Sequence, residues 1–291
     1  MTIQDLRINV GDITLQSRDY EHEGDAIIFL HFGGGNLMIW QRAVPYFQDR
    51  YRLILVDLRG HGKSDRPETG YHIDEMARDV VGMMAQLELE RAHIVGSSLG
   101  AEVALSIAAN YPERTLSIVC DGALSSEYGP YGTWEGSETE FETHVASQLE
   151  RIRNKSATLF DSVDALVDVR RELFEKYGWW NEYVEATERY GAYEVAGKYQ
   201  GGMGKQALES YMQHYFHYCF EDYYRRVKCP LLMLAEKDLD DGREKAAMQG
   251  LRALAAQGEL VEVDGWVHPY GWLLDPENAS KAILEFLERL H

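Results

Sequence analysis

Cysteine is scarce in this chain of 291 residues: there are three, Cys120, Cys219 and Cys229, an odd number without metal-ligand spacing. A disulfide framework is thereby excluded as the organising element, and a reducing, cytoplasmic setting is the expectation. Cations are also short, 29 Lys and Arg against 48 Asp and Glu, a net charge of −19. That balance repels phosphates, so neither nucleic acid nor an anionic membrane surface is an expected partner. A solvated acidic surface serves solubility and by itself names no substrate. No stretch approaches the roughly 20 apolar residues of a membrane span. The opening MTIQDLRINV lacks the charged-then-apolar pattern of a secretory signal. What is there is apolar residue in quantity, 45% of the chain, enough to bury one substantial core with or without an inserted piece.

The apolar residues fall in short runs. A hairpin is expected around Leu6–Val10 and Ile13–Ser17, turning at Gly11–Asp12, followed by strand-length runs at Ala26–Phe32, Arg52–Leu58, Ala92–Gly96 and Leu116–Asp121. Segments of helical period lie between them, such as Ile73–Leu89 with Met76, Val80, Met83 and Met84 on one face. Strands return at Pro230–Ala235 and Leu260–Val263, and Asn278–Leu290 reads as a closing helix. Strands separated by helices and apolar on both faces predict an α/β protein with a mostly parallel sheet covered on both sides. Between Tyr128 and Val227 the strand pattern vanishes. Stripes such as Phe141, Val145, Leu149 and Ile152, and Phe160, Val163, Val167, Phe174 and Tyr177, predict helices there instead. The expected organisation is a core over 1–127 and 228–291 with a helical lid over 128–227.

One motif carries chemistry. Gly96-Ser97-Ser98-Leu99-Gly100 follows a strand run and precedes the helix formers Ala101–Ala109. A sharp strand-to-helix turn needs small neighbours, and it raises the central serine hydroxyl above the sheet at a helix N-terminus. A serine hydroxyl is a weak nucleophile without a base, and the base needs an orienting acid. In an α/β sheet both belong on loops at the carboxyl ends of later strands. His268, just past Leu260–Val263, is the expected base. The acid is expected after Pro230–Ala235, where Glu236, Asp238, Asp240 and Asp241 crowd; spacing from the strand favours Asp238, with Asp121 after an earlier strand as an outside candidate. The developing oxyanion needs two N–H donors. Leu99, next to the serine, offers one, and the glycine-rich His31-Phe32-Gly33-Gly34-Gly35-Asn36 loop offers the other, from Gly33 or Gly34. Phe32, Trp40, Trp134 and Trp266 are the aromatic candidates for lining a substrate pocket. Gly62-Lys63-Ser64 lacks the first glycine of a phosphate loop, and the glycines at Gly33 lack dinucleotide spacing. His214, His217 and Cys219 fit an aromatic core stripe better than a metal site. No cofactor and no metal are expected.

These residues, in this order, resemble the α/β-hydrolase superfamily, in particular its capped esterase-like branch. The likeness runs through His31–Asn36, Trp40, Asp57-Leu58-Arg59-Gly60-His61-Gly62-Lys63-Ser64-Asp65, the Gly96–Gly100 elbow, Pro230–Asp238, and His268 ahead of Asp275-Pro276. It implies the α/β-hydrolase fold, with Ser98 as nucleophile, Asp238 as acid, His268 as base, and Gly33 and Leu99 in the oxyanion hole. Phe32 departs from the glycine usual in the first motif, and the spacing from His268 to Pro276 is about one residue longer than usual. Branches with dehalogenase or epoxide hydrolase activity use an aspartate nucleophile, which Ser98 replaces. The expected activity is cofactor-free cleavage of a carboxylic ester of an apolar small molecule. The alternatives are C–C bond, lactone, amide or thioester hydrolysis by the same triad, and a ligand sensor on the same fold.

Overall fold

The computed structural model describes residues 2–122, 125–237 and 242–290. Its strands are β1 (Ile3–Asn9), β2 (Thr14–Tyr20), β3 (Ala26–Leu30), β4 (Arg52–Asp57), β5 (Ala92–Ser97), β6 (Thr115–Asp121), β7 (Tyr193–Val195), β8 (Lys198–Gln200), β9 (Leu231–Glu236) and β10 (Gly258–Val263). Helices α1 (Val44–Phe47), α2 (Ile73–Gln86) and α3 (Leu99–Asn110) precede β6. Between β6 and β9 lie α4 (Glu138–Asn154), α5 (Val163–Glu175), α6 (Glu182–Gly191), α7 (Lys205–Tyr215) and α8 (Phe220–Arg226). Helix α9 (Gly242–Leu254) links β9 to β10, and α10 (Gly271–Leu274) and α11 (Glu277–Glu288) close the chain.

Eight strands form one sheet in the order β1-β2-β4-β3-β5-β6-β9-β10, antiparallel at β1/β2 and β2/β4 and parallel from β4 onward. Alternate residues of the central strands point to opposite faces, and both faces are apolar. Ile28, Leu30, Ile54, Val56, Ile94 and Ile118 pack under α2, α3 and α8. Ile27, Phe29, Leu53, Leu55, Val95 and Val119 pack with α1, α11, Trp40 and Trp272. This is the mostly parallel α/β sheet, covered on both faces, that the order of runs predicts. The chain steps from β3 out to β4 and then back across to β5, so the crevice at the carboxyl ends of β3 and β5 is where strand order reverses. Ligands of open parallel sheets bind at such a point.

The stretch 128–227 is not free of strand, contrary to expectation. Tyr193–Val195 and Lys198–Gln200 form an antiparallel hairpin, turned by Ala196 and Gly197 at φ of 51° and 78°. Three-residue strands are too short to show an alternating pattern, which is why the sequence conceals them. Helix α8 also packs into the main core through Phe220, Tyr223 and Tyr224, against the same cluster as α3. Among the described residues no helix is long and apolar enough to cross a membrane.

Helix α3 lies so close to β3 that a Cβ on Gly100 would stand 2.1 Å from the Leu30 carbonyl oxygen. Backbone cannot yield as a side chain does, so overpacking here displaces the elbow. Gly100→Ala is expected to cost about 3 kcal/mol of stability; urea unfolding monitored by tryptophan fluorescence measures it. An unchanged midpoint would show that α3 shifts freely.

Candidate active site

Ser98 ends the turn from β5 into α3 at φ 49°, ψ −117°, a left-handed backbone forced on a non-glycine residue. Such strain persists only where the surroundings over-determine it. They do so here: the Ser98 N–H donates to the Asp121 carbonyl at 3.0 Å, and the Ser98 carbonyl accepts from Ala101 and Glu102 at 2.8 and 3.0 Å. Ser98 and His268 line one small cavity of about 80 Å³ with Glu102, Gly122, Tyr215 and Phe220.

The acid on His268 among the described residues comes from β6. Asp121 Oδ1 lies 3.1 Å from His268 Nδ1. Asp121 is fully buried, yet it accepts from Ser97 Oγ at 2.6 Å, Trp266 Nε1 at 2.8 Å and Trp272 Nε1 at 2.6 Å. Burial is the largest single influence and pushes its carboxyl up. The His268 charge, the His268 hydrogen bond and the bonds from Ser97 and Trp266 outweigh it, holding the group below the usual carboxylate range. Asp121 is therefore an ionised acceptor at neutral pH. Gly122 follows at φ 98°, and a Cβ there would stand 2.7 Å from His268 Cε1, so the missing side chain is what admits the imidazole. The backbone N–H of His268 donates to Glu236 Oε1 at 2.7 Å, which fixes the loop from the β9 side. Asp238, the acid favoured from spacing, lies outside the described residues.

The glycine-rich loop is held by two neutral histidines. His31 Nδ1 meets the Phe32 carbonyl at 2.8 Å while its Nε2 accepts from the Leu58 N–H at 3.0 Å. His61 Nδ1 meets the Arg59 carbonyl at 2.9 Å while its Nε2 accepts from the Gly34 N–H at 3.0 Å. Each ring donates through one nitrogen and accepts through the other, which only the uncharged form can do. Burial pushes His31 down to about 4 and His61 well below the ordinary histidine range. Asp57 pins the next turn, accepting from Leu37 N–H at 2.7 Å, Lys63 N–H at 2.8 Å and Tyr190 hydroxyl at 2.9 Å. Burial raises its carboxyl to about 6 against those bonds.

This bonding corrects one of the expected oxyanion donors. The Gly34 N–H is committed to His61, so it does not face the site. Gly33 lies beside Leu99, a Cβ built on it falling 3.7 Å from the Leu99 Cβ. The Leu99 N–H opens α3, where an N–H has no helical acceptor. Three aromatic candidates also move. Trp40 is wholly buried in the core, its ring 5.0 Å from Phe29 and 4.6 Å from Trp272. Trp134 packs on Phe141 and His144 in a separate cluster. Trp266 is a buried donor to Asp121, packed on Trp272. Phe32 lines a cavity of about 410 Å³ with Gly33, Gly34, Tyr211, Tyr270 and Arg170.

Glu102 is a functional candidate that the sequence reading passed over. It is buried one helical turn past Ser98, and both its oxygens accept from the Tyr211 hydroxyl of α7, at 2.9 and 2.8 Å. A glutamate inside an apolar helix face is the signal that was available. Burial raises its carboxyl to about 7, the Tyr211 bond opposing.

With fold and geometry in view, the class of molecule is defined: a mostly parallel α/β sheet with a strained serine at a strand-to-helix elbow and a histidine–carboxylate pair beside it. The chain belongs to the family described as the alpha/beta hydrolase fold, whose model matches residues 25–264. It is 33% identical over 160 residues to 2-(acetamidomethylene)succinate hydrolase of Mesorhizobium japonicum, a match covering 55% of this chain and 52% of that protein. It is 31% identical over 135 residues to 3-oxoadipate enol-lactonase 2 of Acinetobacter baylyi, over 46% of this chain and 48% of that one. It is 34% identical over 142 residues to 2-hydroxy-6-oxo-6-phenylhexa-2,4-dienoate hydrolase of Comamonas testosteroni, over 45% and 48%. The chain thus spans about half the length of the curated relatives it matches. The crystal structure of E-2-(acetamidomethylene)succinate hydrolase superposes over 99% of this chain and 100% of that one, with a TM-score of 0.77 at 26% identity.

The Glu102 carboxyl carries a stability prediction. Its folded value of about 7 exceeds the unfolded 4.5, so the native state favours the neutral form. The contribution is whole below the unfolded value and is lost as pH rises through the folded one, about 3 kcal/mol in all. Glu102→Gln is expected to gain on wild type between pH 4.5 and 7 and to run parallel above. Urea unfolding at pH 5, 6, 7 and 8 tests this, and parallel curves throughout would count against a buried, neutral Glu102.

Proposed function

We propose that this protein is a cofactor-free serine hydrolase that cleaves a carboxylic ester of a small molecule through an acyl-enzyme on Ser98. The observation that carries the reading is His268, its Nδ1 on the buried Asp121 and its ring lining the same cavity as Ser98. His268 takes the Ser98 proton through Nε2 as Oγ attacks the carbonyl carbon. The N–H groups of Gly33 and Leu99 face the oxyanion, in a site whose loop is already fixed by His31, His61 and Asp57. Collapse of the tetrahedral adduct breaks the ester C–O bond, and His268 gives its proton to the departing alcohol. Water then adds to the acyl-enzyme with His268 again as base, releasing the acid and restoring Ser98. Asp121 holds the imidazole tautomer and stabilises the imidazolium.

The segment over 128–227 acts in this reading as a lid. Tyr190 reaches Asp57, Tyr211 reaches Glu102, and Asn36 donates to the Thr187 carbonyl at 2.9 Å, so it grips the core at three points around the crevice. The relatives named above for enol-lactone and dienoate substrates favour, as a second reading, hydrolysis of a lactone or a C–C bond by the same groups. A sensor on this fold is the remaining alternative, and turnover separates it.

With p-nitrophenyl esters from acetate to decanoate, wild type is expected to turn over and Ser98→Ala to lose at least about a thousandfold in kcat. Equal inactivity of both would sink simple ester hydrolysis. The acid is decided by a pair of variants: Asp121→Asn is expected to lower kcat by about 10³–10⁴, while Asp238→Asn stays within about tenfold. The opposite ranking would transfer the role to Asp238.

A further inference from the structure

The cavity that holds Ser98 and His268 is small and polar. Its volume, about 80 Å³, is well under the roughly 300 Å³ at which pockets for small molecules begin. It suits water, which needs roughly 10–15 Å³ and about two to four polar partners. Ser98, His268, Glu102, Ser125 and Tyr215, all able to hydrogen-bond, make up its wall, and Phe220 adds an apolar face.

Glu102 is the unusual member of this wall. From Leu99 to Ala109 helix α3 is buried throughout, and apart from Glu102 and Ser106 its residues are apolar. The Glu102 N–H donates to the Ser98 carbonyl at 3.0 Å, so the two residues stand one helical turn apart and share the cavity. Among the described residues, one donor meets the Glu102 carboxyl: the Tyr211 hydroxyl, 2.9 and 2.8 Å from its two oxygens. A hydroxyl brings a single hydrogen, whereas an ionised carboxyl offers about four acceptor sites and a protonated one still accepts. Burial raises this carboxyl to about 7, and it is an acceptor in either form. Tyr211 thus fixes the orientation of Glu102 and leaves acceptor capacity over. Tyr215, by contrast, gives its hydroxyl hydrogen to Glu127 at 2.8 Å. A buried acid met by one donor does not serve stability, since an apolar residue of similar size packs as well. Burial-shifted acids of this kind cluster where chemistry is done.

We propose that Glu102 holds the water that hydrolyses the acyl-enzyme, in the cavity it shares with Ser98 and His268. The proposal rests on the serine-hydrolase reading and adds a residue for its second half-reaction. The attacking water has two hydrogens. One passes to His268 Nε2 as the water oxygen bonds to the acyl carbon and the carbonyl electron pair moves onto its oxygen. The other is accepted by Glu102, which aims the water's lone pair at the acyl carbon, and it stays with the product acid. Collapse of the adduct re-forms the carbonyl and breaks the bond to Ser98 Oγ, and His268 returns its proton to that oxygen. Acylation does not use this water, so Glu102 acts in one half-reaction and not in the other.

The test uses p-nitrophenyl acetate, whose good leaving group makes kcat report deacylation and kcat/KM report acylation. Glu102→Leu is expected to lower kcat at least about tenfold, with KM falling in proportion and kcat/KM kept within about threefold. A stoichiometric burst of p-nitrophenolate and an acetylated chain in the mass spectrum after acid quenching accompany that split. Glu102→Gln, which keeps an acceptor oxygen, is expected to hold kcat within about fivefold of wild type. A second readout is a product ratio, which does not depend on how much of a variant folds. Methanol has one O–H, which goes to His268, and it needs no second acceptor. In aqueous methanol the ratio of methyl acetate to acetate is expected to rise at least about fivefold in Glu102→Leu and to stay near wild type in Glu102→Gln. Loss of kcat and kcat/KM together with an unchanged product ratio marks a merely structural role and would overturn the proposal. So would a Glu102→Leu protein that deacylates like wild type, or Ser125→Ala giving these effects in its place. Labelling of Ser98 by a fluorophosphonate reports on the hydrolase reading. A labelled, acylating protein indifferent to Glu102 fails the proposal alone, and an unlabelled Ser98 that forms no acyl-enzyme fails both.

Discussion

One buried carboxylate organises this molecule. Asp121 sits at the end of β6 with no exposure to water, a position that an anion occupies only if its lone pairs are met by donors. Ser97 comes from the adjacent strand, Trp266 and Trp272 from the segment after β10, and His268 from the same segment. Four donors from two distant stretches of chain thus converge on two oxygens. Trp266 and Trp272 are buried with their indole N–H groups satisfied, because Asp121 is the acceptor for both.

The opposite side of the crevice is fixed by different means, neutral histidines in place of a charge. His31 and His61 stand with ring centroids 4.8 Å apart, so a proton on either would be a charge away from water, and protons on both would set two like charges side by side. Desolvation keeps both uncharged, so each can bridge a donor and an acceptor of the backbone. The segment Asp57–Asp65 thereby acquires a physical role. Its carboxylate and its histidine hold Leu37, Lys63 and Gly34, and the loop bearing Gly33 is rigid before a substrate arrives. Preorganised donors of this kind need no rearrangement as charge develops.

The succession of strands along the chain, the elbow and the position of His268 beside it were legible because each has a local signature: apolar runs, a small-residue turn, a histidine just past the last strand. Asp121 was harder to read, since nothing near it in sequence announces that two indoles 145 and 151 residues away point at it. The tryptophans were misassigned for the same reason. An aromatic residue in sequence shows only that it is large and amphipathic, and Trp40 and Trp266 satisfy that description as core and as donor. Gly34 was ambiguous with Gly33 until the acceptor at His61 was located. The hairpin at Tyr193–Gln200 escaped because three residues do not make a period.

The position of Asp121 at the end of β6 bears on how the site would fail. Asp121 bonds through Oδ2 to Ser97, the residue before Ser98, and through Oδ1 to His268. Its own carbonyl accepts the Ser98 N–H. One residue thus ties the strained elbow to the base, by backbone on one side and by side chain on the other. Removing the Asp121 charge therefore alters three things at once: the tautomer of His268, the satisfaction of two buried indole N–H groups, and the anchoring of Ser97 beside the elbow. Groups that act as a unit lose function non-additively. A defect in an Asp121 variant accordingly reports the joint geometry of Ser98 and His268, and only in part the loss of a charge beside the imidazole.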